Sequence, residues 1–128
     1  MNLAAIAVGG AIGAVLRFWV SNAVYQMMGR DFPWGTLCVN VVGSAVMGVA
    51  FAYLLQREGG AVLMQSALMV GLLGAFTTYS TFSLETLALL QAGEPLKALL
   101  NAALSVAGCV VACWGGLILG KALFPVAA

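Results

Sequence analysis

Gly74-Ala75-Phe76-Thr77-Thr78-Tyr79-Ser80-Thr81-Phe82-Ser83 lies between two apolar runs, 61–73 and 84–90. Either run alone is about a dozen residues or fewer, too short to cross a bilayer, which takes about 20. Joined, they make one span whose centre carries five hydroxyls (Thr77, Thr78, Ser80, Thr81, Ser83) and two rings three positions apart. Backbone that unwinds at membrane depth is tolerated only where protein buries it or where it lines a cavity. Interrupted helices near the midplane are where ion sites form. The stretch therefore predicts a broken third span with an ion site at the break.

Outward from it, the chain of 128 residues is 63% hydrophobic and 7% charged, with mean hydropathy +1.08. Soluble domains carry roughly 25% charged residues. The apolar runs predict an all-α membrane protein, one domain of four spans at about 3–25, 34–56, 61–90 (broken near 74–78) and 96–124. The formal net charge of +1 gives no polybasic surface for nucleic acid. Residues 1–16 hold no cation, so no basic region marks a cleaved leader and the first span is expected to stay attached. No lipidation signature is visible.

The polar groups within the spans fall on stripes. Gly9 and Gly13, and later Gly116 and Gly120, give small faces against which another helix can approach. Thr36, Asn40 and Ser44 recur at four-residue spacing on one face of span two, and Asn101, Ser105 and Cys109 do so on span four. Cys109 and Cys113 share a face; with no histidine and no C-x-x-C they read as small packing residues rather than a metal or redox pair.

Cations set the orientation of a membrane chain. The side holding the N-terminus carries Arg57 and Lys121; the other carries Arg30 and Lys97, with Arg17 embedded near it, so the tally is 2 against 2 or 2 against 3. So weak a bias predicts insertion both ways and pairing of opposite orientations as an antiparallel homodimer; the alternative is that a single cation still decides the topology. Four short spans enclose little volume, so a conduit calls for that second subunit.

Asn40 offers amide donors and an acceptor, and Thr36, Ser44, Ser80, Thr81 and Ser105 each offer a hydroxyl. This donor-rich set without fixed charge can replace water around a small, strongly hydrated anion. The ring edges of Tyr79 and Phe82 add positive quadrupole character. Singly, such hydroxyls also serve as glue between helices; clustered at 77–83 they favour an ion. Glu85, the one carboxylate within a span, stands open as a proton carrier, a hydrogen-bonding organiser or the partner of Arg17. Arg17 is either an anion attractor or a snorkelling anchor. Carbonyls freed at Gly74 are hard oxygen ligands of the kind sodium accepts.

Together these residues resemble the Fluc (CrcB) family of fluoride channels over nearly the whole chain. The resemblance rests on Gly13-Ala14-Val15-Leu16-Arg17, on Trp34-Gly35-Thr36-Leu37-Cys38-Val39-Asn40-Val41-Val42-Gly43, and on 74–83 followed by Glu85-Thr86. It implies a dual-topology antiparallel homodimer with two fluoride pathways and a structural sodium ion at the dimer interface. Carried over, the sodium carbonyls belong to Gly74 and Thr77, the pore asparagine is Asn40, and the box aromatics are Tyr79 and Phe82. Ser80 and Thr81 form the polar track, and Thr36 and Ser105 are further lining hydroxyls. Three positions depart from the pattern: Tyr79 where phenylalanine is usual, Asn101 for a span-four tyrosine, and Cys109 for a serine.

The resulting expectation is a passive fluoride-selective channel, not an enzyme, exporting toxic fluoride across the inner cell membrane as a multi-pass protein. Arg17 and Glu85 are taken with its pathway residues. A proton-coupled exporter is the first rival, but the small multidrug transporters it would resemble carry an essential glutamate in span one, where this chain has no carboxylate. A non-conducting assembly subunit is the second.

Overall fold

Asn2 opens the first helix by accepting hydrogen bonds at Oδ1 from the N–H groups of Ala4 (3.1 Å) and Ala5 (3.3 Å), two of the donors a helix start leaves free. The computed structural model describes residues 2–55 and 62–125. Helix α1 (Leu3–Met28) ends at Gly29, whose φ of +83° suits the residue without a Cβ. Pro33 precedes α2 (Trp34–Leu54). A third helical segment, 62–76 and here α3, begins as α-helix (Val62–Met64), widens to a π-helix (Gln65–Leu73) and closes with an α turn (Gly74–Phe76). Thr77 and Thr78 are extended (φ/ψ −80°/156° and −149°/113°), and α4 (Tyr79–Gln91) starts beyond them. A turn through Gly93 (φ +76°) leads to Pro95, at the first turn of α5 (Pro95–Leu123), where its missing N–H removes no helical bond.

The protein is all-helical among the described residues, and four helical stretches (Leu3–Met28, Trp34–Leu54, Val62–Gln91, Pro95–Leu123) are long and apolar enough to cross a membrane. The expected bounds shift by a few residues. The first span runs on through Gln26–Met28, read from sequence as loop, because Met27 and Met28 continue the apolar helix up to its glycine stop. The loop Arg57-Glu58-Gly59-Gly60 and the expected ends of its flanking spans at 56 and 61 lie outside the described residues.

Packing is built on backbones in near contact rather than on large side chains. Helix α1 lies chiefly on α3, and α2 chiefly on α5. A Cβ at Gly9 or Gly13 would run into the carbonyl oxygens of Ala67 or Leu72, and one at Gly48 or Gly116 into those of Cys113 or Ala45. The small faces legible in α1 and α5 are thus where helices meet, as in membrane bundles generally. Outward faces carry exposed Phe18, Trp19, Leu99 and Trp114, as a lipid-facing surface requires. The buried residues include six polar side chains: Thr36, Asn40, Ser66, Thr78, Asn101 and Ser105.

Candidate functional site

The extended pair Thr77–Thr78 is held by α2. Asn40 receives the Thr78 N–H at Oδ1 (2.7 Å) and donates from Nδ2 to the Thr78 carbonyl (3.0 Å), satisfying both backbone groups of a residue outside any helix. In a continuous α-helix the Thr78 N–H would bond the carbonyl of Gly74, and the Thr81 N–H that of Thr77. Here the first goes to Asn40, and the second goes to Thr78 Oγ1 (3.2 Å), which caps α4. Two substituted donors therefore take the Gly74 and Thr77 carbonyls out of the helical ladder.

The hydroxyls divide into two groups. Thr77 Oγ1 donates to the Leu73 carbonyl (3.0 Å), Ser83 Oγ to Tyr79 O (3.0 Å) and Thr86 Oγ1 to Phe82 O (2.7 Å). Their protons close onto the preceding turn, a common habit of Ser and Thr in helices. Thr78, Ser80 and Thr81 form a cluster, with Thr78 Oγ1 at 3.3 Å from Ser80 Oγ and 2.9 Å from Thr81 Oγ1. The donor-rich stretch is thus narrower than its composition, because Thr77 and Ser83 turn inward on their own helices.

A cavity of about 440 Å³ opens beside Thr77–Thr78, lined by Asn40, Ser44, Thr77, Thr78, Tyr79, Phe82, Ser105 and Cys109 among others. Of the expected site residues, Asn40, Thr77, Tyr79, Phe82 and Ser105 meet there. The two rings lie 5.3 Å apart, but Phe82 is 9% exposed and Tyr79 79% exposed. Equal helical spacing therefore hides unequal surroundings: Phe82 packs inside the chain's own fold and Tyr79 projects from it. Ser80 is exposed and reaches the site through Thr78, as does Thr81.

Thr36 and Glu85 are elsewhere. They meet beside a second cavity, of about 320 Å³, lined by Tyr25, Arg30, Phe32, Pro33, Glu85 and part of α4. Tyr25 Oη donates to Glu85 Oε1 (2.6 Å) and lies 3.2 Å from Thr36 Oγ1. Glu85 Oε2 is buried without a hydrogen-bond partner. Of the three roles open to Glu85, partnership with Arg17 does not occur: Tyr25 is the group that engages it, and Arg17, half-buried on α1, lines neither cavity.

Tyr25 and Asn101 are residues that sequence reasoning left out of the site, and Thr78, counted there as one hydroxyl among five, proves to be the one that Asn40 holds. Tyr25 stands near a span end, where a tyrosine reads as an interface anchor. Asn101, 1% exposed, donates to Thr86 Oγ1 (2.9 Å) and ties α5 to α4. Its stripe with Ser105 was visible, its partner was not. The three cysteines are free, and no cluster of three metal-ligating side chains occurs among the described residues.

Residues 4–117 match the family model described as "CrcB-like protein, Camphor Resistance (CrcB)". The chain belongs to the CrcB family. Relatives called "Fluoride-specific ion channel FluC" include one from Methylococcus capsulatus, 54% identical over 96% of this chain and 54% of its own length. Another, from Magnetococcus marinus, is 53% identical over 94% of this chain and 98% of its own. A third, from Hydrogenovibrio crunogenus, is 49% identical over 97% and 94%. The chain thus spans about half of the first relative and nearly all of the other two. Its matched segment takes in both cavities and the extended pair Thr77–Thr78.

Proposed function

We propose that the chain is a fluoride-selective passive channel of the inner membrane, working as an antiparallel, dual-topology homodimer that exports fluoride. The observation that carries this reading is the extended pair Thr77–Thr78, held by Asn40 within the third apolar stretch, in a chain whose close relatives are named fluoride-specific ion channels. Fluoride leaves water only for a path that supplies hydrogen-bond donors. Asn40 keeps one amide N–H beyond the bond it gives Thr78. The Thr78–Ser80–Thr81 cluster adjoins it through Thr78, and Phe82 and Tyr79 border the same cavity. A tight path of donors favours the smaller, more strongly hydrogen-bonding halide over chloride.

The third span is read as functionally discontinuous, with two copies meeting at its break and one fluoride pathway on each side of the axis. Tyr79, exposed on one subunit, then reaches the pathway of the other. A structural sodium ion at that axis fits the residues present, because the Gly74 and Thr77 carbonyls have lost their helical donors to Asn40 and Thr78. Those carbonyls from both copies would hold it, and it would supply fixed positive charge between the two halves.

The test is fluoride efflux from liposomes containing the purified protein, with chloride as control. Current that follows the fluoride gradient alone is expected. Flux strictly coupled to pH would favour an exporter, and absence of flux would favour an assembly subunit. Tags on either terminus, probed from both sides, should be found on both faces of the membrane.

A further inference from the structure

We propose that Tyr25 is a positioning residue that transmits the charge state of Glu85 to the Thr36 hydroxyl, and thereby sets whether Thr36 can donate to an anion. The inference rests on the fluoride-channel reading and assigns a control element to it. Tyr25 has one hydroxyl proton, and it goes to Glu85 Oε1 at 2.6 Å. In the 3.2 Å contact between Tyr25 Oη and Thr36 Oγ1, the Thr36 hydroxyl must therefore be the donor. The relay runs Thr36 to Tyr25 to Glu85. With its proton so engaged, Thr36 presents only lone pairs, which repel an anion.

Protonation of Glu85 reverses the relay. A proton on Oε2 would face no acceptor, since that atom is buried without a partner. A proton on Oε1 donates to Tyr25 Oη instead. Tyr25 then turns its own proton to Thr36 Oγ1, and the Thr36 O–H is released. No bond is lost within the triad, and one donor appears where none was available.

The surroundings hold the tyrosine in place. Its ring packs against Gly35, where a Cβ would come within 2.5 Å of it. Arg30 lies over the other side, its guanidinium carbon 4.9 Å from the ring centroid, and donates to Asn22 Oδ1 (3.3 Å). Glu85 faces Tyr25 from α1 and, through it, Thr36 from α2. Arg30 is the other charged side chain lining this cavity, and no charged group of α2 or α5 lines it.

The experiment is fluoride current through the wild type, Tyr25→Phe, Thr36→Val and Glu85→Gln in planar bilayers from about pH 3.5 to pH 8, a range that brackets the ordinary carboxyl value of about 4. Protein-free bilayers control for leakage of the neutral acid. The wild-type fluoride current should rise on acidification by about tenfold, the scale of one hydrogen bond to an ion. Glu85→Gln, which carries no charge at any pH, should give a flat profile. Tyr25→Phe keeps the ring and leaves Glu85 free to titrate, so a direct effect of carboxylate charge would persist in it; a relay predicts a flat profile. Thr36→Val, which removes only the far end, should be flat as well and serves if Tyr25→Phe does not assemble. A wild-type pH profile in either variant overturns the relay while leaving the channel reading intact. A wild type that conducts no fluoride removes both.

Discussion

Substituting Asn40 by alanine removes both hydrogen bonds that hold the Thr78 backbone. Asn40 and Thr78 are both buried, so the two backbone groups lose their direct partners at a largely desolvated position. A buried polar group left unsatisfied costs about 1–3 kcal/mol, and the two groups of Thr78 together roughly 2–6 kcal/mol. One escape exists: the Thr78 N–H can return to the Gly74 carbonyl by continuing the helix, which restores one bond and closes the break. On either course the extended geometry is disfavoured by at least about 1.4 kcal/mol, or tenfold in population. Fluoride efflux from liposomes should fall by tenfold or more. Asn40→Ser discriminates between roles, because serine can donate to an anion but is too short to bridge both backbone groups. It should be as impaired as alanine. Wild-type flux in Asn40→Ser would refute the clamp and leave Asn40 as a simple donor.

Phe82→Ile should abolish fluoride flux while leaving the assembled protein intact on gel filtration; unchanged flux would remove Phe82 from the pathway. Gly116→Leu, which drives a side chain into the Ala45 carbonyl, should separate α2 from α5 and lower thermal stability in detergent by several kcal/mol, above the roughly 1–3 kcal/mol of ordinary overpacking. Ala substitution at Gly115, which has open space beside it, should be nearly neutral in the same assay. Removing sodium during purification should loosen the dimer without changing preference for fluoride over chloride, and an intact dimer that never binds sodium would discard the Gly74 and Thr77 assignment.

What the sequence disclosed, it disclosed through period and composition. The apolar lengths announced four helical stretches long enough to cross a membrane, and the small-residue faces at Gly9/Gly13 and Gly116/Gly120 marked real backbone contacts, since only a missing Cβ permits them. The π-helix at Gln65–Leu73 left no comparable trace, because a wider turn changes hydrogen-bond partners without requiring different residues. Hydroxyl counting overstated the donors for a related reason. Whether Thr77 or Ser83 offers a proton outward depends on the carbonyl four residues earlier, and every helix provides one. The pairing of Tyr25 with Glu85 spans sixty positions and has no periodicity to betray it.

The separation of Thr36 from Asn40 bears most on how an anion could move. One turn apart on α2, they read as neighbours on a single track, yet Asn40 faces the break and Thr36 faces the Tyr25–Glu85 pair. On the proposed reading, fluoride passing along α2 goes from a site with a permanently available amide proton to one whose hydroxyl proton is conditional. The ion therefore meets its strongest solvation near Asn40 and must lose it to advance toward a carboxylate. Such a step is slow unless Glu85 is neutral or turned away. Asn101→Leu tests the second possibility: it frees Thr86, and with it the turn that carries Glu85, without touching the carboxylate or its tyrosine. If Glu85 must move for fluoride to pass, loosening that turn should raise the current several-fold at neutral pH and compress the difference between neutral and acid conditions. An unchanged current would mean that the position of the carboxylate is fixed and that only its charge matters.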